Sequence, residues 1–116
     1  MKTEPALAAL AGLAQRTRLE IFRYLVQAGP SGEAVGSIGK WLDIPAATLS
    51  FHLKELSRAG LINSRQDGRF IWYSANFAAM NGLIEYLTEN CCGGQPQLCT
   101  PACKPATAKR RKRASA

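Results

Sequence analysis

Four cysteines stand close together near the C-terminus of this 116-residue sequence. Cys91 and Cys92 are adjacent, and Cys99 and Cys103 follow them, so that all four fall within 13 residues. Thiolates select soft ions, and clustered cysteines in a reducing compartment indicate a soft-metal or redox site more than a disulfide framework. The cluster is therefore the first candidate site for chemistry.

The spacing of these cysteines favours a trivalent metalloid. As(III) takes three thiolates in a pyramid, and its lone pair occupies a fourth direction. Cys91 and Cys92 supply two thiolates, Gly93-Gly94 lets the chain fold back, and Cys99 is the natural third ligand. Cys103 is either spare or exchanges with Cys99. We therefore expect As(III), or alternatively Sb(III) or methylarsenite, at this cluster, and nothing in the sequence indicates an organic cofactor.

Other thiol chemistries stay open at this point. Zinc prefers four tetrahedral ligands in C-x₂₋₄-C pairs, a spacing that Cys99 and Cys103 fit and the adjacent pair does not. Cadmium, lead, a reversible disulfide sensor and tail cysteines that bind nothing are further alternatives. A thiol reductase is disfavoured because no cysteine has the strand-to-helix setting and no acid/base pair accompanies the cluster. We therefore do not expect this protein to be an enzyme.

The net charge of +7 is concentrated at the C-terminus. Residues 1–103 carry nine basic and all eight acidic side chains, whereas residues 104–116 carry six basic ones. This Ala/Lys/Arg-rich tail is predicted to be disordered. No apolar run approaches the roughly 18 residues of a membrane span, and Ala6–Ala14 runs into Arg16 without a signal cleavage region. We expect a cytoplasmic protein with no membrane partner.

The residues before the cysteines follow a helical period and then a strand period. The apolar spacing predicts five helices, with the approximate bounds Glu4–Leu10, Gln15–Gln27, Ala34–Leu42, Pro45–Arg58 and Asn76–Asn90. The apolar face of the second helix comprises Leu13, Leu19, Ile21, Phe22, Leu25 and Val26, and the fourth helix turns Leu49, Leu53 and Leu56 to the core. Two strands, Leu61–Gln66 and Arg69–Ser74, are predicted to join at a type I′ turn over Asp67-Gly68.

This order of elements predicts a winged helix-turn-helix. The fold class is mainly α with a β-hairpin wing, in the order α-α-α-α-β-β-α. We assign residues 1–90 to a DNA-binding and dimerisation domain, 91–103 to a cysteine-rich metalloid-binding segment, and 104–116 to the basic tail.

In such a fold the second helix of the motif lies in the major groove, with its N-terminal residues at base edges. Small and hydroxyl side chains there allow close approach, and the wing arginines are suited to phosphate. The predicted DNA contacts are Ala47, Thr48, Ser50, Phe51, His52, Lys54, Arg65 and Arg69. For His52, the single histidine, we expect a phosphate or base contact, since no second histidine accompanies it for a metal site.

Four runs give the chain a resemblance to the ArsR/SmtB family of metal-responsive repressors, over roughly residues 6–90. They are Leu13–Ile21, Thr48–Leu56, Ala59–Ile62 and Asp67–Arg69. The resemblance implies a homodimer formed through the first and last helices, a palindromic double-stranded operator, and release of DNA when an inducer binds.

The two common inducer sites of that family are absent. Members that hold arsenite beside the helix-turn-helix carry Cys-x-Cys in its first helix, and the equivalent stretch Glu33–Lys40 has no cysteine. Members that bind zinc between their last helices use Asp and His, and the last helix here has no histidine. A C-terminal vicinal pair followed by a third cysteine is similar to arsenite-responsive members with the site at this end.

The resemblance and the cysteines together predict a transcriptional repressor that leaves its operator when As(III) binds, derepressing arsenic-resistance genes. A repressor of the same fold that responds to Zn, Cd, Pb or thiol oxidation is the alternative.

Overall fold

Helices flank a small sheet in residues 1–94, the part of the chain that this computed structural model describes. The elements are α1 (Thr3–Leu13), α2 (Arg16–Ala28), β1 (Glu33–Ala34), α3 (Val35–Leu42), α4 (Ala46–Arg58), β2 (Ile62–Asp67), β3 (Phe70–Ala75), α5 (Phe77–Thr88) and a 3₁₀ turn, Cys91–Gly94. The predicted winged helix-turn-helix order is confirmed, with a two-residue strand added before α3. Cys99, Cys103 and the basic tail lie outside the described residues.

The helix-turn-helix consists of α3 and α4, separated by a short turn. Asp43 adopts a left-handed backbone with φ 55°, and the amide of Ile44 donates to the carbonyl of Gly39 at 3.0 Å, which closes α3. Pro45 then has an extended backbone and stands immediately before α4. The turn between the two helices therefore comprises three residues, Asp43 to Pro45.

A single apolar core lies between the helices and the base of the sheet. Its most completely buried large side chains come from α2, α3, α4 and the start of the hairpin, namely Ile21, Leu25, Ile38, Leu49, Leu53, Leu56 and Leu61. Burying one such side chain stabilises the fold by about 1.5–3 kcal/mol. The predicted inward face of α4 is confirmed by this core.

Two residues of the predicted apolar face of the second helix were assigned wrongly. Leu13 is the last residue of α1 and does not belong to α2, and Leu19 does not face the core. Leu19 is 43% exposed, whereas Ile21 and Leu25 are fully buried. At 3.6 residues per turn, Leu19 lies about 200° around the helix from Ile21, so the two side chains point in nearly opposite directions.

The wing is a hairpin whose turn falls one residue later than predicted. Asp67 pairs with Phe70, so the turn residues are Gly68 and Arg69. Gly68 has φ 64°, but Arg69 is not among the residues with positive φ. A type I′ turn needs positive φ at both positions, whereas a type II′ turn needs it at the first, where glycine is preferred. The shift places Arg69 at the wing tip.

The sheet has the antiparallel order β1-β3-β2. Strand β1 pairs Glu33 with Tyr73 and Ala34 with Trp72, and it therefore attaches the wing to the segment that leads into α3.

Asn76 caps the last helix and ties it to the end of the helix-turn-helix. Its side-chain oxygen accepts from the amide of Ala79 at 3.1 Å, and its side-chain amide donates to the carbonyl of Gly60 at 3.0 Å. Helix α5 ends at Thr88, two residues before the predicted end. Among the described helices, none is long and apolar enough to cross a membrane.

Candidate functional site

The outer face of α4 presents the small and polar side chains predicted from the sequence. The exposed residues on this face are Ala47, Thr48, Ser50, Phe51 and Lys54. Phe51 is 57% exposed, although it is a large apolar side chain. Because no side chain caps the N-terminus of α4, its first-turn amides are available to an anion such as phosphate. The face combines hydroxyl, methyl, aromatic and basic groups along the first nine residues of α4.

His52 does not belong to this outer face. It is 8% exposed, and its Nδ1 lies 3.4 Å from Nη1 of Arg18. Its ring meets that of Phe51 edge to face, with centroids 5.3 Å apart. Burial lowers the pKa of His52, and the positive charge of Arg18 lowers it further, against the opposing effect of Glu55. A buried neutral imidazole is a structural group, which argues against the phosphate or base contact expected from the sequence.

Arg18 connects α1, α2 and α4. Its Nε donates to the carbonyl of Gly12 at the end of α1 at 2.7 Å, and its backbone amide donates to Oε1 of Gln15 at 2.8 Å. With Nη1 directed at His52, one guanidinium joins the end of α1 and the start of α2 to α4. The sequence analysis included Arg18 only within the run Leu13–Ile21 that resembles the family. Its contact with His52 was not predicted, because the two residues are 34 positions apart.

The two arginines of the wing have different surroundings. Arg69 is exposed at the turn, and its side chain has no hydrogen bond or ion pair within residues 1–94. Arg65 lies with Cζ 5.1 Å from the centroid of the Trp72 ring, and its Nη1 donates to the carbonyl of Ser31 at 3.0 Å. The sequence grouped the two as DNA contacts, but only Arg69 is left wholly available to an outside partner.

A pair of thiols follows α5. The Sγ atoms of Cys91 and Cys92 lie 3.4 Å apart. Consecutive side chains in extended backbone point to opposite sides, but Asn90 and Cys92 have positive φ of 55° and 57°, and this tight turn brings the two sulfurs together. Both residues are half-buried.

The described residues supply only part of the predicted thiol set. Within residues 1–94, no group of three or more His, Cys, Asp or Glu side chains could hold a metal ion. Cys99 and Cys103, the predicted further ligands, lie outside the described residues.

Helices α1 and α5 pack together and carry an exposed apolar surface. Oγ1 of Thr3 and the hydroxyl of Tyr86 are hydrogen-bonded at 2.6 Å. Nearby turns of the same two helices leave four large apolar side chains 40–59% exposed, namely Leu7, Leu10, Ile84 and Leu87. We call these four residues the apolar face.

A helix-turn-helix with an exposed second helix, followed by a hairpin with an arginine at its tip, defines a winged helix-turn-helix DNA-binding protein. A family model described as a helix-turn-helix domain matches residues 13–65. The chain is 35% identical over 80 residues to the arsenical resistance operon repressor of Bacillus subtilis (strain 168), covering 69% of this chain and 72% of that protein. The chain belongs to the ArsR/SmtB family of transcription regulators.

Two further relatives agree with this assignment. The transcriptional activator HlyU of Vibrio cholerae is 30% identical over 82 residues, covering 71% of this chain and 73% of that protein. The solved structure of an ArsR-like transcriptional regulator from Rhodococcus sp. RHA1 superimposes with a TM-score of 0.68 at 26% identity, covering 82% of this chain and 87% of that one. The expected family and fold are therefore confirmed.

Proposed function

We propose that this protein is a homodimeric repressor of a palindromic operator, released when As(III) binds Cys91, Cys92 and Cys99. The observation that carries the proposal is the pair of sulfurs 3.4 Å apart at the end of α5. The Bacillus subtilis relative, whose name records arsenical resistance, supports the same ligand class.

The separation of the two sulfurs is short enough for both to bind one ion. With metal–sulfur bonds of about 2.3 Å, two sulfurs 3.4 Å apart can share a single bound atom. The preference for As(III) or Sb(III) over zinc rests on the sequence spacing, in which the adjacent pair Cys91-Cys92 does not fit the C-x₂₋₄-C pairs that zinc prefers.

The apolar face supports the dimer. Leu7 and Leu10 are one helical turn apart on α1, and Ile84 and Leu87 are one turn apart on α5, so each pair lies on one side of its helix. Their exposure in one chain is explained when a second copy covers them. This is the first-and-last-helix interface that the family resemblance implies.

A chain of packed contacts leads from the thiols to the DNA-binding helix. Binding of As(III) orders the turn after α5 and so displaces the end of that helix. Helix α5 is hydrogen-bonded to α1 through Tyr86 and Thr3. The end of α1 is bonded to Arg18, and Arg18 lies against His52 of α4. Because a dimer must hold its two recognition helices about 34–36 Å apart to read successive major grooves, a small shift weakens both half-sites together.

The size of the effect follows from ordinary coupling energies. A change of about 2–3 kcal/mol releases an operator roughly 30- to 150-fold. That range is sufficient for a switch without any unfolding of the domain.

The ligand assignment is tested by binding metalloid to the reduced, full-length protein. Equilibrium dialysis against As(III) should give one arsenic atom per chain for the wild type. Substituting Cys91→Ser or Cys92→Ser should abolish binding, and Cys99→Ser should weaken it strongly, whereas Cys103→Ser serves as the control and should retain it. Failure of the wild type to bind As(III), or binding unaffected by the first two substitutions, contradicts the proposal.

Zinc provides the second arm of the same experiment. We expect Zn(II) to be displaced by As(III) and to bind the Cys103→Ser variant no differently from wild type. A tight zinc site that needs all four cysteines would favour the alternative of a zinc-responsive regulator.

A further inference from the structure

We propose that Arg65 is a positioning residue, which fixes the wing relative to the recognition helix instead of contacting DNA phosphate itself. The inference rests on the proposed operator binding, because it assigns a role in that binding to a residue outside the contact surface.

The side chain of Arg65 extends from β2 over β3 to the segment before β1. In the strand order β1-β3-β2, Arg65 of the outer strand β2 pairs with Trp72 of the central strand, and Trp72 pairs with Ala34 of β1. The guanidinium lies over the Trp72 ring, and Nη1 reaches the carbonyl of Ser31, which precedes β1 on the far side. One side chain therefore links β2 and β3 to the segment that leads into β1.

The base of the wing is packed into the core through Ile62 and Ala75, whereas its outer part is exposed. Strand β1 is two residues long, and β2 is exposed at every position after Ile62. A two-stranded hairpin is marginally stable in water by itself. The exposed outer part of β2 and β3 thus depends on contacts near its base for a fixed direction, and Arg65 supplies two of these contacts.

Arginine is the residue suited to this position. Its planar guanidinium stacks on an aromatic face while its edge donates in a fixed direction, which the ammonium group of lysine does not reproduce. The guanidinium of Arg65 is already directed at Trp72 and Ser31, whereas the side chain of Arg69 is available at the tip. We therefore assign different roles to the two arginines: Arg65 positions the wing, and Arg69 contacts phosphate.

The test measures operator affinity as a function of salt for wild type, Arg65→Ala, Arg65→Lys and Arg69→Ala, all as full chains well below their unfolding temperatures. A phosphate contact changes the slope of log K against log salt by about 0.9 per contact. We expect Arg69→Ala to make the slope shallower by about two contacts for a dimer. Both Arg65 variants should lower affinity about three- to tenfold with the wild-type slope, since each loses the stacked and directed arrangement.

A double-mutant cycle with Trp72→Leu provides a second measurement. If Arg65 acts through the Trp72 ring, the double variant Arg65→Ala/Trp72→Leu should bind no more weakly than the weaker single variant. Independent action would make the two losses multiply. Circular dichroism melts of each variant confirm that the domain is folded at the binding temperature.

Three results would overturn the inference. The first is a shallower slope of log K against log salt for Arg65→Ala, with the wild-type slope for Arg65→Lys. That result would show that the positive charge at this position contacts phosphate. The second is multiplicative losses in the cycle, and the third is unchanged affinity in both Arg65 variants. The proposed DNA binding by the wing fails separately if Arg69→Ala keeps both the affinity and the slope of the wild type.

Discussion

Nη1 of Arg18 lies 3.4 Å from Nδ1 of His52 and so connects the start of α2 to the buried side of α4. Burial first and the neighbouring cation second lower the pKa of His52, and Arg18 can donate only to an unprotonated ring nitrogen. Within the sequence run Thr17-Arg18-Leu19, Arg18 therefore has a structural role, because it joins α4 to the ends of α1 and α2.

The pH dependence of stability follows from this contact. Burial and the nearby Arg18 lower the pKa of His52 below 6.5, so the unfolded chain binds the proton more readily than the folded one. The stability that neutral His52 contributes is complete above pH 6.5 and is lost as the pH falls through the lowered pKa. We expect the melting temperature of the wild type to fall below pH 6.5 more steeply than that of His52→Asn.

Asparagine is the matched control because it keeps an acceptor near the position of Nδ1 and does not titrate in this range. Thermal melts in steps between pH 7.5 and 5 measure the difference. Parallel curves for wild type and His52→Asn, or a steeper fall for the variant, would show that His52 does not carry this dependence.

Two glycines on either side of β1 should respond in opposite ways to alanine. Gly32 has φ 74°, and a Cβ there would collide with the backbone carbonyl of Tyr73. The backbone conformation alone makes Gly32→Ala destabilising by about 1–3 kcal/mol. Gly36 in α3 has open space around a Cβ and no positive φ, so Gly36→Ala should stabilise by about 0.4–1 kcal/mol.

Urea unfolding followed by circular dichroism gives both free energies. The comparison controls for the general effect of a Gly-to-Ala change. Equal or same-sign changes at the two positions would contradict the close approach of the Gly32 segment to β3.

The apolar face of α1 and α5 predicts the effect of a charge on assembly. Leu87 is 59% exposed and Leu7 is 54% exposed, and burying a carboxylate opposite a second copy carries a large desolvation cost. We expect Leu87→Glu to shift the protein from dimer to monomer in sedimentation equilibrium and to lower operator affinity by more than tenfold. Trp41→Glu is the control, since Trp41 is 73% exposed on α3 and should leave the protein dimeric. Retention of the dimer in Leu87→Glu and Leu7→Glu alike would place the interface elsewhere.

The helices were predictable because their apolar spacing and stop residues are local signals. Leu49, Leu53 and Leu56 recur on one side of α4 at spacings of four and three residues, which favour a helix, and all three are buried. The hairpin was predictable from Asp67-Gly68, although the turn shifted by one residue, because strand register depends on which side chains pair across β2 and β3.

The features that the sequence did not predict depend on contacts between residues distant in sequence. Strand β1 has two residues and exists through its pairing with Tyr73 and Trp72, so no local period could reveal it. The contact of His52 with Arg18 and the hydrogen bond from Arg65 to Ser31 each join residues 34 positions apart, and Arg65 meets Trp72 only through the pairing of β2 with β3. Of the predicted thiol site, the adjacency of Cys91 and Cys92 was readable from the sequence, whereas their sulfur separation required the turn at Asn90.

The central claim is that binding of a metalloid to the thiols lowers the affinity of the protein for its operator. An operator-release titration tests this claim most directly. Reduced full-length protein bound to its fluorescent operator is titrated with As(III) while anisotropy is measured, with Cys91→Ser in parallel and Zn(II) as the comparison ion. The account predicts roughly 30- to 150-fold weaker operator binding for the wild type at saturating As(III), and no release for Cys91→Ser, which should bind the operator normally without metalloid. Equal operator affinity of the wild type with and without As(III), or equal release of Cys91→Ser, would contradict it.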